Sequence, residues 1–251
     1  TTIQTVDGLT TCHKDIANEF NSYFTSVGKN LAAKFDNVRP TLDNQTHDVN
    51  NDADVKFEFD FVTPSCVFDQ ICNFSNKKSP GLDNLNVKLL KLAAPIICDS
   101  LAYICNLSLH TAVFPSDWKC AKVTPIFKDG DKSDVNNYRP ISVLCIISKI
   151  LERAVHDQLY DYLSKHGILH PSQSGFRSNH STTTTLLDVS DFILNNMNDG
   201  RATGAIFLDL KKAFDTINHD LLIQKFEKCG VSGVNGKWFI SYLSERSQTV
   251  N

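Results

Sequence analysis

The apolar run TGAIFL at residues 203–208, with Gly200 before it and Asp209 after it, constrains the fold more than any other stretch. Six residues are too few for an independent helix, and a short apolar run between turn residues predicts a buried β-strand. Helical signals stand on both sides. Residues 181–196 read as a helix with Ser181 at its N-cap, and residues 218–229 as a helix stopped by Gly230. A buried strand flanked by helices places the chain in the α/β or α+β class.

The rest of the chain extends that pattern. Ile16, Phe20, Phe24 and Val27 recur at helical spacing. Residues 37–55 are polar, rich in Asn and Asp, and too poor in large apolar side chains to bury much surface, so they predict a linker. The compact part is expected to begin near Phe57. KKSPGLDNLN at 77–86 is loop chemistry, and residues 87–108 read as a helix broken or kinked at Pro95. AKVTPIF at 121–127 predicts a strand whose Pro125 favours an edge or a bulge. A polar turn at 129–138 then leads to a returning strand at 141–144. Residues 148–166 predict a strong helix, with Leu151, Val155, Leu159 and Leu163 on one face and Gly167 as its stop. No internal repeat is visible.

Composition narrows the class. The chain has 251 residues, enough for one large or two small domains, and 41% hydrophobic residues with 21% charged ones suit a globular protein. No apolar run reaches the roughly 20 residues needed to span a bilayer; the best candidate, residues 141–151, is interrupted by Ser142, Ser148 and Lys149. No membrane association is expected, and the N-terminal TTIQTVDGLT lacks the basic start and apolar run of a secretory leader. The eight cysteines form no CxxC pair and no zinc spacing, so they read as reduced, mostly buried thiols of an intracellular protein. Net charge is −3 but uneven: residues 1–76 hold 5 Lys/Arg against 11 Asp/Glu, and residues 77–251 hold 20 against 17. The C-terminal part is therefore mildly basic, which permits phosphate binding.

Four stretches carry candidate chemistry. In AIFLDLKKAFDTINHDLL at 205–222, Asp209 ends the expected strand, where a carboxylate either caps a turn or holds a hard cation through oxygen. Phe214 is either a core aromatic or a platform. In TPIFKDGDKSDVNNYRPISVLCIISKILERAV at 124–155, a hairpin carries Lys128 and Arg139, which are either solvated surface cations or a point charge and a bidentate fork that close on a triphosphate. In HPSQSGFRSNHSTTTTLLDV at 170–189, Gly175 permits close backbone approach beside Arg177. Lys77 and Lys78 open the fourth stretch, KKSPGLDNLNVKLLK.

Taken in their order along the chain, the four stretches resemble the reverse transcriptases of non-LTR retrotransposons. The resemblance implies a right-hand polymerase with helical fingers at 57–202 and the first part of the palm at 203–251, preceded by a helical connector at 1–36 and an acidic, polar linker at 37–56. It implies that Asp209 is a catalytic, metal-binding aspartate and that the Leu210 carbonyl contacts a metal or nucleotide. Phe214 would be the aromatic gate that excludes a 2′-hydroxyl, and Lys128 and Arg139 would contact the phosphates of the incoming nucleotide. Arg177, Lys77 and Lys78 would contact nucleic acid. The implied partners are an RNA template, a DNA primer or target, and dNTPs, with two Mg²⁺ ions assisting in-line phosphoryl transfer in the complete enzyme. DIANEFNSYFTSVG at 15–28 resembles the connector that follows an endonuclease domain, so such a domain is expected upstream, and the nucleus and cytoplasm are the expected locations. The family's Asp-Asp pair and the Gln-Gly loop before it are absent. The chain is thus expected to stop mid-palm, before its thumb, and to be unable to polymerise alone. Two other readings stay open. One is a non-catalytic RNA-binding remnant. The other is an unrelated α/β phosphoryl-transfer enzyme using Asp209, although the second acid such enzymes place two residues later is Lys211 here.

Overall fold

The computed structural model describes residues 2–5, 8–33, 55–210 and 212–250. Along them run a hairpin of β1 (Ile3–Thr5) and β2 (Gly8–Thr10) and helices α1 (His13–Ala32), α2 (Pro64–Asn73) and α3 (Val87–Thr111). Strands β3 (Cys120–Phe127) and β4 (Tyr138–Val143) follow, then helices α4 (Ser148–Lys165), α5 (Thr182–Asn198), α6 (His219–Lys228) and α7 (Gly233–Leu243), and strand β5 (Ser247–Val250). The mixed class expected from the sequence is present. The expected linker lies outside the described residues up to position 54.

Helix α3 carries the main core. It starts where Asn86 Oδ1 accepts the Leu89 N–H at 2.8 Å, and it continues through Pro95 as one element rather than breaking there. Its buried face repeats every three to four residues through Val87, Leu90, Ala94, Cys98, Leu101, Cys105 and Leu109. Against it pack Val67 and Ile71 of α2, Ile150, Leu151 and Val155 of α4, and Trp238 and Phe239 of α7. Each fully buried side chain of this size contributes about 1.5–3 kcal/mol. By length and composition α3 could cross a membrane, which corrects the expectation that no stretch reaches that length. Here its apolar face is the centre of a helical core. The thiols also differ from expectation. All eight cysteines are free, but only Cys98 and Cys105 are buried, while Cys12, Cys66 and Cys72 are exposed. Burial pushes the Cys105 thiol up to about 12.

Residues 55–62 form no helix or strand beside this core; the Phe57 N–H donates to the Gly230 carbonyl at 3.0 Å, and side chains meet several of the other backbone groups. Asn106 accepts the Val62 N–H and donates to the Val62 carbonyl, both at 2.8 Å. Asn235 donates to the Phe57 carbonyl at 2.7 Å, and Gln158 accepts the Asp60 N–H at 2.8 Å. Trp238 Nε1 donates to the Ser108 hydroxyl at 3.0 Å, and that hydroxyl donates to the Val113 carbonyl at 2.7 Å. These buried polar atoms are thus paired, whereas Gln70 Oε1 of α2 is buried without a hydrogen-bond partner.

The sheet has the order β4-β3-β5, with β4 antiparallel and β5 parallel to β3. Pro125 stands opposite Pro140. The Lys128 N–H donates to the Asn137 carbonyl at 2.8 Å, which sets the alternation so that both prolines fall at non-hydrogen-bonded positions. The β5 ladder reaches only Val123, so β3 is an edge at Pro125, as the sequence suggests. A second apolar cluster of Ile3, Phe20, Val135 and Tyr138 joins β1, α1 and the start of β4.

The expected buried strand at 203–208 is not formed. Residues 201–210 have no regular structure, and Ile206, Phe207 and Leu208 are 88%, 91% and 87% exposed. A strand needs a neighbour to satisfy its backbone, and none of the described strands pairs with this run. Helix α5 is formed and capped as expected, yet none of its residues is buried.

Candidate functional site

Strand register decides how Lys128 and Arg139 are presented. Arg139 lies directly opposite Ile126, and Lys128 follows Ile126 by two residues. Side chains alternate faces with period two, so Lys128, Ile126, Arg139 and Ile141 share one face of the hairpin. Positions two residues off the direct partner are about 7–8 Å apart, which suits two cations gripping one polyphosphate. The opposite face carries Val123, Phe127 and Tyr138, and Phe20 of α1 meets Tyr138 edge-on at 4.8 Å. Packing therefore takes the apolar face and leaves the cationic one to solvent. Ile126 and Ile141 remain 48% and 49% exposed on the same face as the cations, a feature the sequence reading missed although strand parity could have revealed it.

The turn is built for this. Gly130 has φ +88, and a Cβ there would lie 2.7 Å from the Asn137 amide nitrogen. That amide donates to the Asp131 carbonyl at 2.9 Å, and Asp131 accepts the Ser133 N–H at 2.8 Å. This bond holds the Asp131 carboxyl below its usual range. Lys128 pairs with Asp129 at 3.8 Å.

Lys78 and the start of α4 form a second basic locus. Gly81 abuts the backbone of Leu144 and Cys145, where a Cβ would sit 2.8 Å from Cys145 N and Cα. Lys78 lies over the Phe74 ring at 4.3 Å. Desolvation, then the charges of Lys149 and Arg153, lower the Lys78 pKa. Lys77 is exposed beside it. Lys149 and Arg153 escaped the sequence reading because only the folded loop brings them to Lys78.

Asp209 and Leu210 are exposed, Leu210 by 75%. Asp209 makes no ion pair or side-chain hydrogen bond among the described residues. Nor does any group of three or more His, Cys, Asp or Glu among them have the arrangement of a metal site. Mg²⁺ can be held by one or two carboxylates with waters and substrate phosphates, but two ions side by side need more than one, so Asp209 alone among the described residues does not make up the expected two-ion site. Phe214 is 73% exposed and meets Phe176 edge-on, ring centroids 5.7 Å apart. The structure thus joins the segment around Gly175 and Arg177 to the one after Asp209, and adds Phe176, which the sequence did not single out. Arg177 turns back on its own loop, donating from Nη1 to the His170 carbonyl at 3.2 Å.

Comparison with known proteins bears on these segments together. Residues 128–251 match the family described as reverse transcriptase (RNA-dependent DNA polymerase). The chain is 37% identical over 171 residues to the probable RNA-directed DNA polymerase from transposon BS of Drosophila melanogaster, covering 68% of this chain and 19% of that protein. It is 33% identical over 168 residues to the RNA-directed DNA polymerase from mobile element jockey of the same species, covering 66% and 18%. With the Retrovirus-related Pol polyprotein from type-1 retrotransposable element R2 of Popillia japonica it shares 26% over 175 residues, covering 68% and 23%. The chain spans about a fifth of the length of these curated relatives. The segment holding Lys128, Arg139, Arg177, Asp209 and Phe214 belongs to the reverse transcriptase family, in the branch of the non-LTR retrotransposons.

Proposed function

We propose that this chain is the nucleotide-gripping part of an RNA-directed DNA polymerase that copies RNA into DNA for a non-LTR retrotransposon. The observation that carries the reading is the cationic hairpin face. Lys128 and Arg139 lie inside the matched segment, share one solvent-facing side of β3–β4, and are not consumed by the core. A primer 3′-hydroxyl attacking the α-phosphate of a dNTP needs that triphosphate held still, and two diagonal cations do so as a fork and a point charge. In this reading residues 57–202 are fingers and 203–251 the first part of the palm, with 1–36 as connector and 37–56 as linker. The substrates are RNA template, DNA primer or target and dNTPs, and the work is done in the nucleus and cytoplasm.

Two Mg²⁺ ions need more carboxylates than Asp209 alone, so we assign this chain the grip and not turnover by itself. Titration with a fluorescent dNTP tests the grip: K128A and R139A should each weaken binding about tenfold. Binding that is absent, or unchanged in both variants, overturns the reading. RNA-templated primer extension by the 251-residue chain would overturn its inactivity. A second reading, RNA binding without catalysis, draws on Lys78 meeting Lys149 and Arg153. RNA retention that survives K128A and R139A but is lost in K78A/K149A would favour it.

A further inference from the structure

Helix α1 touches both halves of the candidate site. On its first half, Phe20 packs on Tyr138 at the start of β4, and Asn21 Oδ1 accepts from Gln248 Nε2 of β5 at 3.1 Å. One turn further, the Tyr23 hydroxyl accepts from Lys212 Nζ, and the Lys212 ammonium lies 4.4 Å from the Tyr23 ring centroid. Further on again, Gly28 presses against the backbone of Asp215, so that a Cβ there would collide with the Asp215 carbonyl oxygen. The turn so held is itself wound tight. Lys212 has φ 51, the Asp215 N–H donates to the Lys212 carbonyl at 2.9 Å, and the Thr216 hydroxyl donates to the Ala213 carbonyl at 3.1 Å. This turn begins three residues after Asp209, in a stretch with little else to hold it, since residues 201–210 are exposed throughout.

We propose that α1 is a brace that fixes the segment carrying Asp209 relative to the cationic hairpin, with Tyr23, Gly28 and Lys212 as positioning residues. What the two braced halves do rests on the polymerase reading, but the brace itself does not. Contact on the Asp209 side runs through one cation and one glycine. A cation held by a hydroxyl and an aromatic face is directional, and a missing Cβ sets how closely the helix can approach. The hairpin side is apolar and buried.

Amide hydrogen exchange on the full chain, without template or dNTP, tests this. K212M removes both the donor and the cation over the ring, and G28A forces the turn away. Each should raise exchange at residues 212–218 about tenfold while amides of α3 and α4 stay unchanged. K212R keeps a donor cation over the phenol and should hold exchange within about twofold of the parent. The brace is overturned if K212M leaves 212–218 unchanged, if K212R is as damaging as K212M, or if α3 and α4 accelerate equally. Failure here removes the brace alone, whereas failure of the triphosphate titration removes the polymerase reading alone.

Discussion

Glu152 shows how single residues here are tuned by what the fold puts around them. It projects from α4 toward the end of α7, where the Tyr242 hydroxyl donates to it at 3.3 Å and Arg246 stands 3.9 Å away. Desolvation raises its pKa above 4.5, against the opposing pull of Arg246 and the Tyr242 hydrogen bond. A carboxyl whose folded pKa is raised contributes stability that is full below 4.5 and is lost as pH climbs through the folded value. E152Q cannot ionise yet still accepts from Tyr242. Its urea midpoint should therefore fall less than the parent's between pH 4 and pH 7, and parallel midpoints would refute the assignment. Residues legible from sequence and those that are not divide on the same ground. That Lys128 and Arg139 stand on one hairpin was legible because the polar turn between the two strands is a local signal. Lys149, Arg153 and Phe176 were not, because their partners lie tens of residues away and only packing selects them.

Elements divide in a similar way. Helices α1, α4, α5 and α6 were legible because caps, stops and apolar spacing sit within a few residues of each other. Helices α2 and α7 and strand β5 were not read, because their type is decided by the α3 core and by the exposed-to-buried context of β3. The run at 203–208 was read as a buried strand from apolarity alone, but a strand is a property of two segments, and no described strand pairs with this one. Helix α5 is the complementary case, formed by local chemistry with no buried residue. Ser181 Oγ accepts the Thr184 N–H at 3.1 Å, and Thr184 Oγ1 accepts the Ser181 N–H at 2.9 Å. With no buried residue, a helix of 17 residues is near the margin of stability in water. S181A should cost about 1 kcal/mol, accelerating exchange of the α5 amides about fivefold while α3 is unaffected. Exchange in α5 that is as slow as in α3 and insensitive to S181A would mean that something besides the cap holds the helix.

At the scale of the whole molecule, apolar surface is distributed unevenly. Two clusters bury their side chains around α3 and α1, whereas α5 and residues 201–210 leave Leu186, Phe192, Met197, Ile206, Phe207 and Leu208 each more than half exposed. A soluble domain rarely carries so much apolar surface in one stretch unless it meets a partner, and uncovered it drives association. The two regions should respond oppositely to substitution. Phe207 is 91% exposed and contributes almost no burial, so F207D should leave the thermal midpoint unchanged while raising the concentration at which the chain begins to aggregate. Trp238 is 1% exposed, stacks on Tyr242 at 5.4 Å and donates to Ser108, so W238A should cost about 3–5 kcal/mol and lower the midpoint sharply. Calorimetry beside light scattering separates the two. If F207D lowers the midpoint as W238A does, the run at 203–208 is packed in solution and the strand read from its sequence is present after all. If the midpoint holds and scattering falls, the run is open surface, and the first carboxylate of the proposed site stands at the end of a segment that leads into the turn held by α1.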